Sequence, residues 1–367
     1  MGGQAFAQPG PSGEPPIETP RMSPFRYQQF RDHFLQVLNP YFIKAAVPPE
    51  APEKLDYGDI DVLVEQHFGH RGLSIQQIAS LLQAKRHVSH GDSMSFAVKL
   101  PSELEDTSVP FAQLDISTCR QGDLEWGFFM NSYGDLWQII GLTIRDLGLT
   151  ASDRGLHVRI PEIEVHNAKE SRLFMTHDPV LTMQFMGLDE KRFGAGFNTE
   201  NEMFAWIAGG RLFSGSNCEQ RQNSNDRQRL RKRPQFKRFL DEWVPNNQHL
   251  WIKKQVPSRL QVLQEALSEF NLQSVYNERL QRWQEANAEK EIMSKIASTI
   301  PLDNSEKLNL AMRSMKRWTI LSSGEGLSVR SEPAMEPHYQ CSFSTAVAEM
   351  GEKKCIGMGP YPLGGYR

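Results

Sequence analysis

The sequence predicts an α+β protein, in which a domain built on a mixed α/β sheet is followed by a helical domain. Short segments of alternating or continuous apolar residues, typical of strands, are spread between residues 55 and 177. Segments with apolar residues every three or four positions lie between them and dominate from about residue 179. At 367 residues the chain is long enough for two domains of roughly 100 to 200 residues each.

Composition divides the chain into four predicted parts. Residues 1–24 hold six prolines and four glycines and hardly any large apolar side chains. Burial there cannot offset the entropy lost on ordering, so a disordered leader is expected. The mixed domain is expected at residues 25–178 and the helical domain, with a basic segment, at residues 179–318. Residues 319–367 show no sustained period and are expected to form a loose tail.

The composition also argues against several classes of protein. No apolar run approaches the roughly 20 residues of a membrane span, and the N-terminus lacks the features of a secretory signal. We therefore expect an intracellular protein, cytoplasmic or nuclear. The four cysteines show neither a CxxC pair nor metal-ligand spacing, which favours reduced thiols. A formal charge of −3 argues against indiscriminate nucleic-acid binding.

The elements of the mixed domain are predicted from the spacing of apolar residues. A helix is expected within residues 25–43, where Phe30, Phe34 and Leu38 share a face and Pro40 ends the pattern. It is followed by a strand in LDYGDIDVLV, a short helix in SIQQIASLLQA, a turn in HVSHGD, and strands in DSMSFAVKLP and PFAQLDIS.

The clearest helical pattern is NSYGDLWQIIGLTIRDLGL, residues 131–149. Ser132 and Asp135 are spaced as a capping box, and Gly148 is placed as a C-terminal stop. Two strands are expected after this helix, in LHVRIPEIEV and SRLFMTH. Later helices are expected in DPVLTMQFMGL, in ENEMFAWIAGG and between Pro257 and Ile296.

Two aspartates interrupt the apolar run of the first strand. Asp59 and Asp61 are two positions apart, so on a strand they share a face at a separation of roughly 6.5 to 7 Å. A divalent cation relieves their repulsion, and carboxylate oxygens suit Mg²⁺ or Mn²⁺. Gly58 has no side chain and leaves room for a phosphate. The alternative is a solvated strand edge without function, which is the commoner meaning of such a pair.

A third aspartate lies in the predicted strand PFAQLDIS. A site that transfers phosphoryl groups with two metal ions needs a further carboxylate near the ion that activates the attacking hydroxyl. Asp115 is the candidate, because neighbouring strands of one sheet would bring it close to the acidic pair.

The order of GDIDVLV, an acid-bearing strand at LDIS and a following helix resembles the nucleotidyltransferase superfamily typified by DNA polymerase beta and poly(A) polymerase. The run NSYGDLWQIIGLTIRDLGLTASDRGLHVRIPEIE further resembles a group of uncharacterised, mainly fungal proteins with this domain, over about residues 55–245. The resemblance implies a transferase that uses a nucleoside triphosphate and magnesium. It implies Asp59 and Asp61 as ligands of both metal ions, and Asp115 as the third ligand, nearest the nucleophile.

Members of this superfamily usually carry a Gly-Ser or Gly-Gly pair ahead of the acids, where it holds the terminal phosphates. Ala45 and Ala46 stand roughly at that position here, in a stretch without serine. Two hypotheses therefore stay open: an active nucleotidyltransferase, or a catalytically inactive member that serves as a nucleotide- or RNA-binding scaffold. A third is an adaptor that binds a partner through the helices after Pro257.

Two further groups of residues are candidates for binding. Ser132, Tyr133 and Asp135 begin the capped helix, where they either face the nucleotide or only cap the helix. Residues 221–239 hold eight basic residues against one acid and are either an RNA-binding segment or a solvated helix face. The basic residues assigned to RNA are Arg227, Arg229, Arg231, Lys232 and Arg233.

Overall fold

The computed structural model describes residues 3–11, 13–66, 73–91, 93–99, 111–215, 228, 230–299, 305–322 and 326–333. Contacts divide the chain into two units, the first of residues 1–159 and 172–270, the second of residues 160–171 and 271–367. This division does not test the functional domains expected at 25–178 and 179–318, which stay predictions.

The first unit contains a five-stranded sheet in the order β1-β2-β5-β4-β3. Its strands are β1 (Lys44–Ala46), β2 (Ile60–Glu65), β3 (Arg86–His90), β4 (Ser93–Lys99) and β5 (Phe111–Cys119). β2 and β5 pair in parallel, whereas the other neighbours pair antiparallel. The predicted α+β class with a mixed sheet is therefore confirmed, and the two acid-bearing strands are neighbours.

One face of this sheet packs against α1 (Pro24–Leu38) and α2 (Ile75–Leu81). Alternation along the strands selects the side chains of that core. From the strands they include Ile60, Val62, Val64, Phe96, Val98, Leu114 and Ile116. α1 adds Tyr27, Phe30, Phe34 and Leu38 to the same core. The same alternation places Asp61, Gln113 and Asp115 on the opposite face.

The predicted helix after the sheet is α4 (Leu136–Arg145), preceded by α3 (Leu124–Asn131). Gly148 follows it with φ +82° and donates its N–H to the Arg145 carbonyl, so the predicted stop is confirmed. The predicted capping box is wrong. Ser132 Oγ donates to the Phe128 carbonyl, and Asp135 makes no capping hydrogen bond, because its carboxylate is bound by a distant segment described below.

A second sheet of the first unit is antiparallel and consists of β6 (Leu149–Ser152), β7 (Gly155–Arg159) and β8 (Arg172–Thr176). The strand expected in LHVRIPEIEV ends at Arg159. Pro161 fixes its own φ and lacks an N–H for strand pairing, and it begins the short helix α5 (Pro161–Glu164) instead. The turn expected in HVSHGD is shorter than predicted, since β3 extends to His90.

Helices dominate the later part of the chain, as predicted. The first unit continues with α6 (Pro179–Met186), α7 (Glu190–Ala195), α8 (Glu200–Gly209), α9 (Pro234–Arg238) and α10 (Arg259–Glu269). The second unit contains α5, α11 (Gln273–Thr299), α12 (Ser305–Trp318), β9 (Thr319–Ser322) and β10 (Gly326–Val329). Among the described helices, none combines the length and the apolar character that crossing a membrane requires.

The N-terminal strap, defined as residues 3–11 and 13–22, differs from the expected disordered leader. Phe6 is completely buried, and Met22 forms an antiparallel bridge with Tyr57. Arg86 donates to the carbonyls of Phe6, Gln8 and Pro15. The composition of residues 1–24 conceals these contacts, because one buried aromatic side chain, one backbone bridge and a distant arginine provide them.

Candidate active site

The parallel pairing of β2 and β5 brings the predicted acids together. Asp61 is the register partner of Asp115, and partners on adjacent strands project to the same face of a sheet. Asp59 precedes β2 by one residue and shares that face. The register therefore sets Asp61 beside Asp115. A common site formed by all three aspartates stays a prediction.

The acids influence one another electrostatically. Asp61 is reached by solvent, but the protein around its carboxylate displaces much of its water. This burial, together with the negative charges of Asp59, Asp115 and Glu50, raises the pKa of Asp61 to about 7, against an opposing effect of Lys54. Burial contributes most to this shift, and the neighbouring negative charges add to it.

Hydrogen-bond donors from the chain itself hold the other two acids. The N–H of Gly3 donates to Asp59 Oδ2 at 3.2 Å. The side chain of Gln113 donates from Nε2 to both oxygens of Asp115, at 3.0 and 2.9 Å. Gln113 was not predicted as a site residue, although its position two residues before Asp115 on the same strand face was a usable signal.

A pocket of about 360 Å³ opens beside the acidic pair. Asp59, Asp61 and Gly58 line it together with three cationic side chains, Arg21, Lys54 and Arg233. Each cation has an acidic partner: Arg21 with Asp56 at 2.8 Å, Lys54 with Glu50 at 2.5 Å, and Arg233 with Asp135 at 2.6 Å. Asp115 is not among the lining residues. The pocket therefore combines both signs of charge and is not purely cationic.

The turn before α4 is held by packing beside the pocket. Tyr133 has φ +60°, donates its N–H to the Pro49 carbonyl at 2.6 Å and its hydroxyl to the Phe193 carbonyl at 3.0 Å. Ser132 is fully buried. Of the three residues predicted here for nucleotide binding, Asp135 alone lines the pocket.

Asp135 connects this turn to the basic segment. Its Oδ1 accepts from Arg233 at 2.6 Å and its Oδ2 from the N–H of Phe236 at 3.3 Å. Its own N–H donates to Gln235 Oε1 at 2.7 Å. No sequence signal indicated this partnership, because about a hundred residues separate the two segments.

The basic run is only partly open to a ligand. Arg231 and Lys232 are exposed, whereas Arg233 binds Asp135 and Arg238 donates twice to Glu200, at 2.6 and 2.5 Å. Arg227 and Arg229 lie outside the described residues.

Ala45 and Ala46 lie in β1, opposite Val64 and Leu63, and do not line the pocket. The following segment reaches the pocket instead, with Pro48, Pro49 and Glu50 among the lining residues. Prolines carry no N–H, so these two positions offer no amide donors to a phosphate.

The donor set suits a hard divalent ion in its chemistry, since it consists of carboxylate oxygens. In the described part of the chain, however, no group of three or more His, Cys, Asp or Glu side chains is arranged to hold a metal ion. The bonds from Gly3 and Gln113 already engage oxygens of Asp59 and Asp115, so an ion would share these oxygens with the donors or displace them.

Comparison with known proteins adds no assignment to this geometry. No protein-family model matches the chain, and no curated protein is similar to it.

Proposed function

We propose that the protein is a metal-dependent nucleotidyltransferase, which moves a nucleoside monophosphate from a triphosphate to an acceptor hydroxyl and releases pyrophosphate. The observation that carries the proposal is the register of β2 and β5, which sets Asp61 beside Asp115. Asp59 directly precedes the first residue of β2. The raised pKa of Asp61 supports the proposal, because a bound cation would offset both the burial and the like charges that raise this pKa.

In this proposal Asp59, Asp61 and Asp115 would hold Mg²⁺ or Mn²⁺. The ion would supply positive charge for the triphosphate and lower the pKa of the attacking hydroxyl. Arg21, Lys54 and Arg233 border the acidic pair and would bind phosphate oxygens, which compete with their present carboxylate partners. Gly58 leaves the backbone open to a phosphate.

The proposed acceptor is the 3′ end of an RNA, in an intracellular compartment. The exposed side chains of Arg231 and Lys232 support this choice, because cations on one segment attract a phosphate backbone. Arg227 and Arg229 belong to the same proposed contact, and Arg233 would join it from the pocket wall.

The test is transfer of label from each NTP to total cellular RNA or protein, with Mg²⁺ or Mn²⁺. We expect a labelled product with wild type, and a loss of at least about 100-fold in each of Asp59→Asn, Asp61→Asn and Asp115→Asn, on the scale of other lost active-site charge interactions. Asp153→Asn is the matched control, since the Asp153 side chain is 83% exposed. Equal labelling by all four variants would falsify the hypothesis that these aspartates form a nucleotidyltransferase site.

The alternative is a catalytically inactive scaffold that binds a nucleotide or RNA. The placement of Ala45 and Ala46 in β1 and of two prolines at the pocket favours it, because both remove expected phosphate contacts. It predicts binding of nucleotide or RNA without any labelled product, and binding that survives Asp115→Asn.

A further inference from the structure

Two backbone N–H groups of the strap, two residues apart, donate hydrogen bonds at the acidic site. Gly3 donates its N–H to Asp59, and Ala5 donates its N–H to Gln113 Oε1 at 2.9 Å. Since Gln113 in turn binds Asp115, the strap is connected to two of the three acids.

The bond from Ala5 fixes the orientation of the Gln113 amide. Oε1 must face the N–H of Ala5, so Nε2 must face Asp115. Gln113 is 4% exposed, which leaves it little freedom to rotate. Nε2 lies almost equally far from both Asp115 oxygens, at 3.0 and 2.9 Å, and this is where a cation bound by both oxygens would sit.

The strap is fitted to this place by specific contacts. Thr19 donates its hydroxyl to the Gly3 carbonyl at 2.9 Å, and the Arg86 guanidinium lies 5.1 Å from the Phe6 ring centroid. Gly3 has φ +81°, and a Cβ at this residue would overlap the backbone carbonyl of Gly58. Only glycine at position 3 therefore allows the strap to approach Gly58, next to Asp59, so closely.

We infer that the strap competes with the divalent cation. In the docked state the N–H of Gly3 donates to Asp59, and the Gln113 side chain, oriented by Ala5, donates to both oxygens of Asp115, where an ion would bind. Amide donors and a cation are alternative ways to compensate the same carboxylates. Binding of the ion must then weaken docking of the strap, and docking must weaken binding by the same factor. The cation site rests on the proposed function, but the competition does not require that any nucleotide be transferred.

The first experiment compares two glycine variants of the full chain. Gly3→Ala prevents close docking through the clash with Gly58, whereas Gly13, with φ +85°, has no atom within 4 Å of an added Cβ and so provides the same backbone strain without the clash. Affinity for Mn²⁺ is measured by calorimetry. We expect Gly3→Ala to bind Mn²⁺ on the order of tenfold more tightly than wild type, because the docked population is removed, and Gly13→Ala to match wild type.

The second experiment measures the reciprocal effect by hydrogen exchange of peptides covering residues 3–11. Mn²⁺ should accelerate exchange in wild type. It should not do so in Asp61→Asn, which weakens the ion site without changing a residue that the strap contacts.

Three results would overturn the inference: equal Mn²⁺ affinity in Gly3→Ala and wild type, no Mn²⁺ binding to any variant, or unchanged exchange of residues 3–11 when Mn²⁺ is bound. The transfer assay is a separate readout. If the strap and Mn²⁺ compete but no nucleotide is transferred, the inference about the strap holds and the proposed enzyme activity is wrong. If nucleotide is transferred without such competition, the activity holds and the inference about the strap is wrong.

Discussion

Gly134 occupies a position in the turn before α4 where a side chain does not fit. Its φ is +69°, and a Cβ would lie 2.9 Å from both the Ala51 Cβ and Gln235 Oε1. We expect Gly134→Ala to lower the free energy of unfolding by about 1–3 kcal/mol, through backbone strain and steric overlap, measured by urea denaturation.

The matched control for this change is Gly141→Ala. Gly141 lies inside α4 and has no atom within 4 Å of an added Cβ, so the change should raise the free energy of unfolding by up to about 1 kcal/mol. A similar loss of stability in both variants would contradict the account of Gly134.

His157 is a buried titratable residue in β7. Burial lowers its pKa below the usual 6.5, although its bond to the Gly155 carbonyl opposes the shift. The unfolded chain therefore takes up a proton at higher pH than the folded one. Stability due to neutral His157 is complete above pH 6.5 and decreases as the pH falls toward the folded pKa.

We expect the free energy of unfolding to fall between pH 7.5 and pH 5.5 by less in His157→Gln than in wild type, measured by urea denaturation. His249→Gln, at an exposed position, should retain the wild-type dependence. If His157→Gln shows the full wild-type loss, another group is responsible for it.

At the scale of elements, Asp135 joins the start of α4 to the start of α9. It contacts Arg233, Gln235 and Phe236. We expect Asp135→Ala to cost about 2 kcal/mol of unfolding free energy, because it leaves a buried N–H of Phe236 without its acceptor. Arg233→Ala should cost under about 1 kcal/mol, since its side chain is 44% exposed. Equal costs would mean that the ion pair alone joins the elements.

Elements with a strong local pattern could be predicted from the sequence. α1 and α4 follow from the spacing of their apolar residues, and β2 and β5 from apolar runs that contain an aspartate. The convergence of Asp61 and Asp115 required one further assumption, that the two strands are neighbours, which the sheet order confirms.

The missed features depend on contacts between distant residues. The order of the strap comes from Arg86 and Gln113, and the engagement of Asp135 comes from the segment after Arg233. Neither leaves a local pattern, since one hydrogen bond to a backbone carbonyl or a carboxylate does not alter composition or period. The average composition of residues 1–24 therefore predicts disorder, whereas a few specific hydrogen bonds determine that the strap is ordered.

At the scale of the whole molecule, an ion bound to the acidic site should stabilise the fold by mass action. An ion at a hundredfold its dissociation constant adds about 2.7 kcal/mol. We expect Mn²⁺ to raise the thermal midpoint of wild type and of Asp153→Asn, but not that of Asp61→Asn, in calorimetric scans. An equal rise in Asp61→Asn would place the ion elsewhere.

The parallel pairing of β2 with β5 has a consequence for how the chain folds. β1 pairs with β2, and β3 with β4, over short separations, whereas β2 meets β5 across about fifty residues. Late closure of that pair is expected, because a long loop must be ordered first. Closure also brings Asp61 against Asp115, and like charges on facing residues oppose it. Repulsion between the acids that suit the site to a cation thus raises the free-energy barrier to folding. Added salt screens this repulsion and should increase the refolding rate.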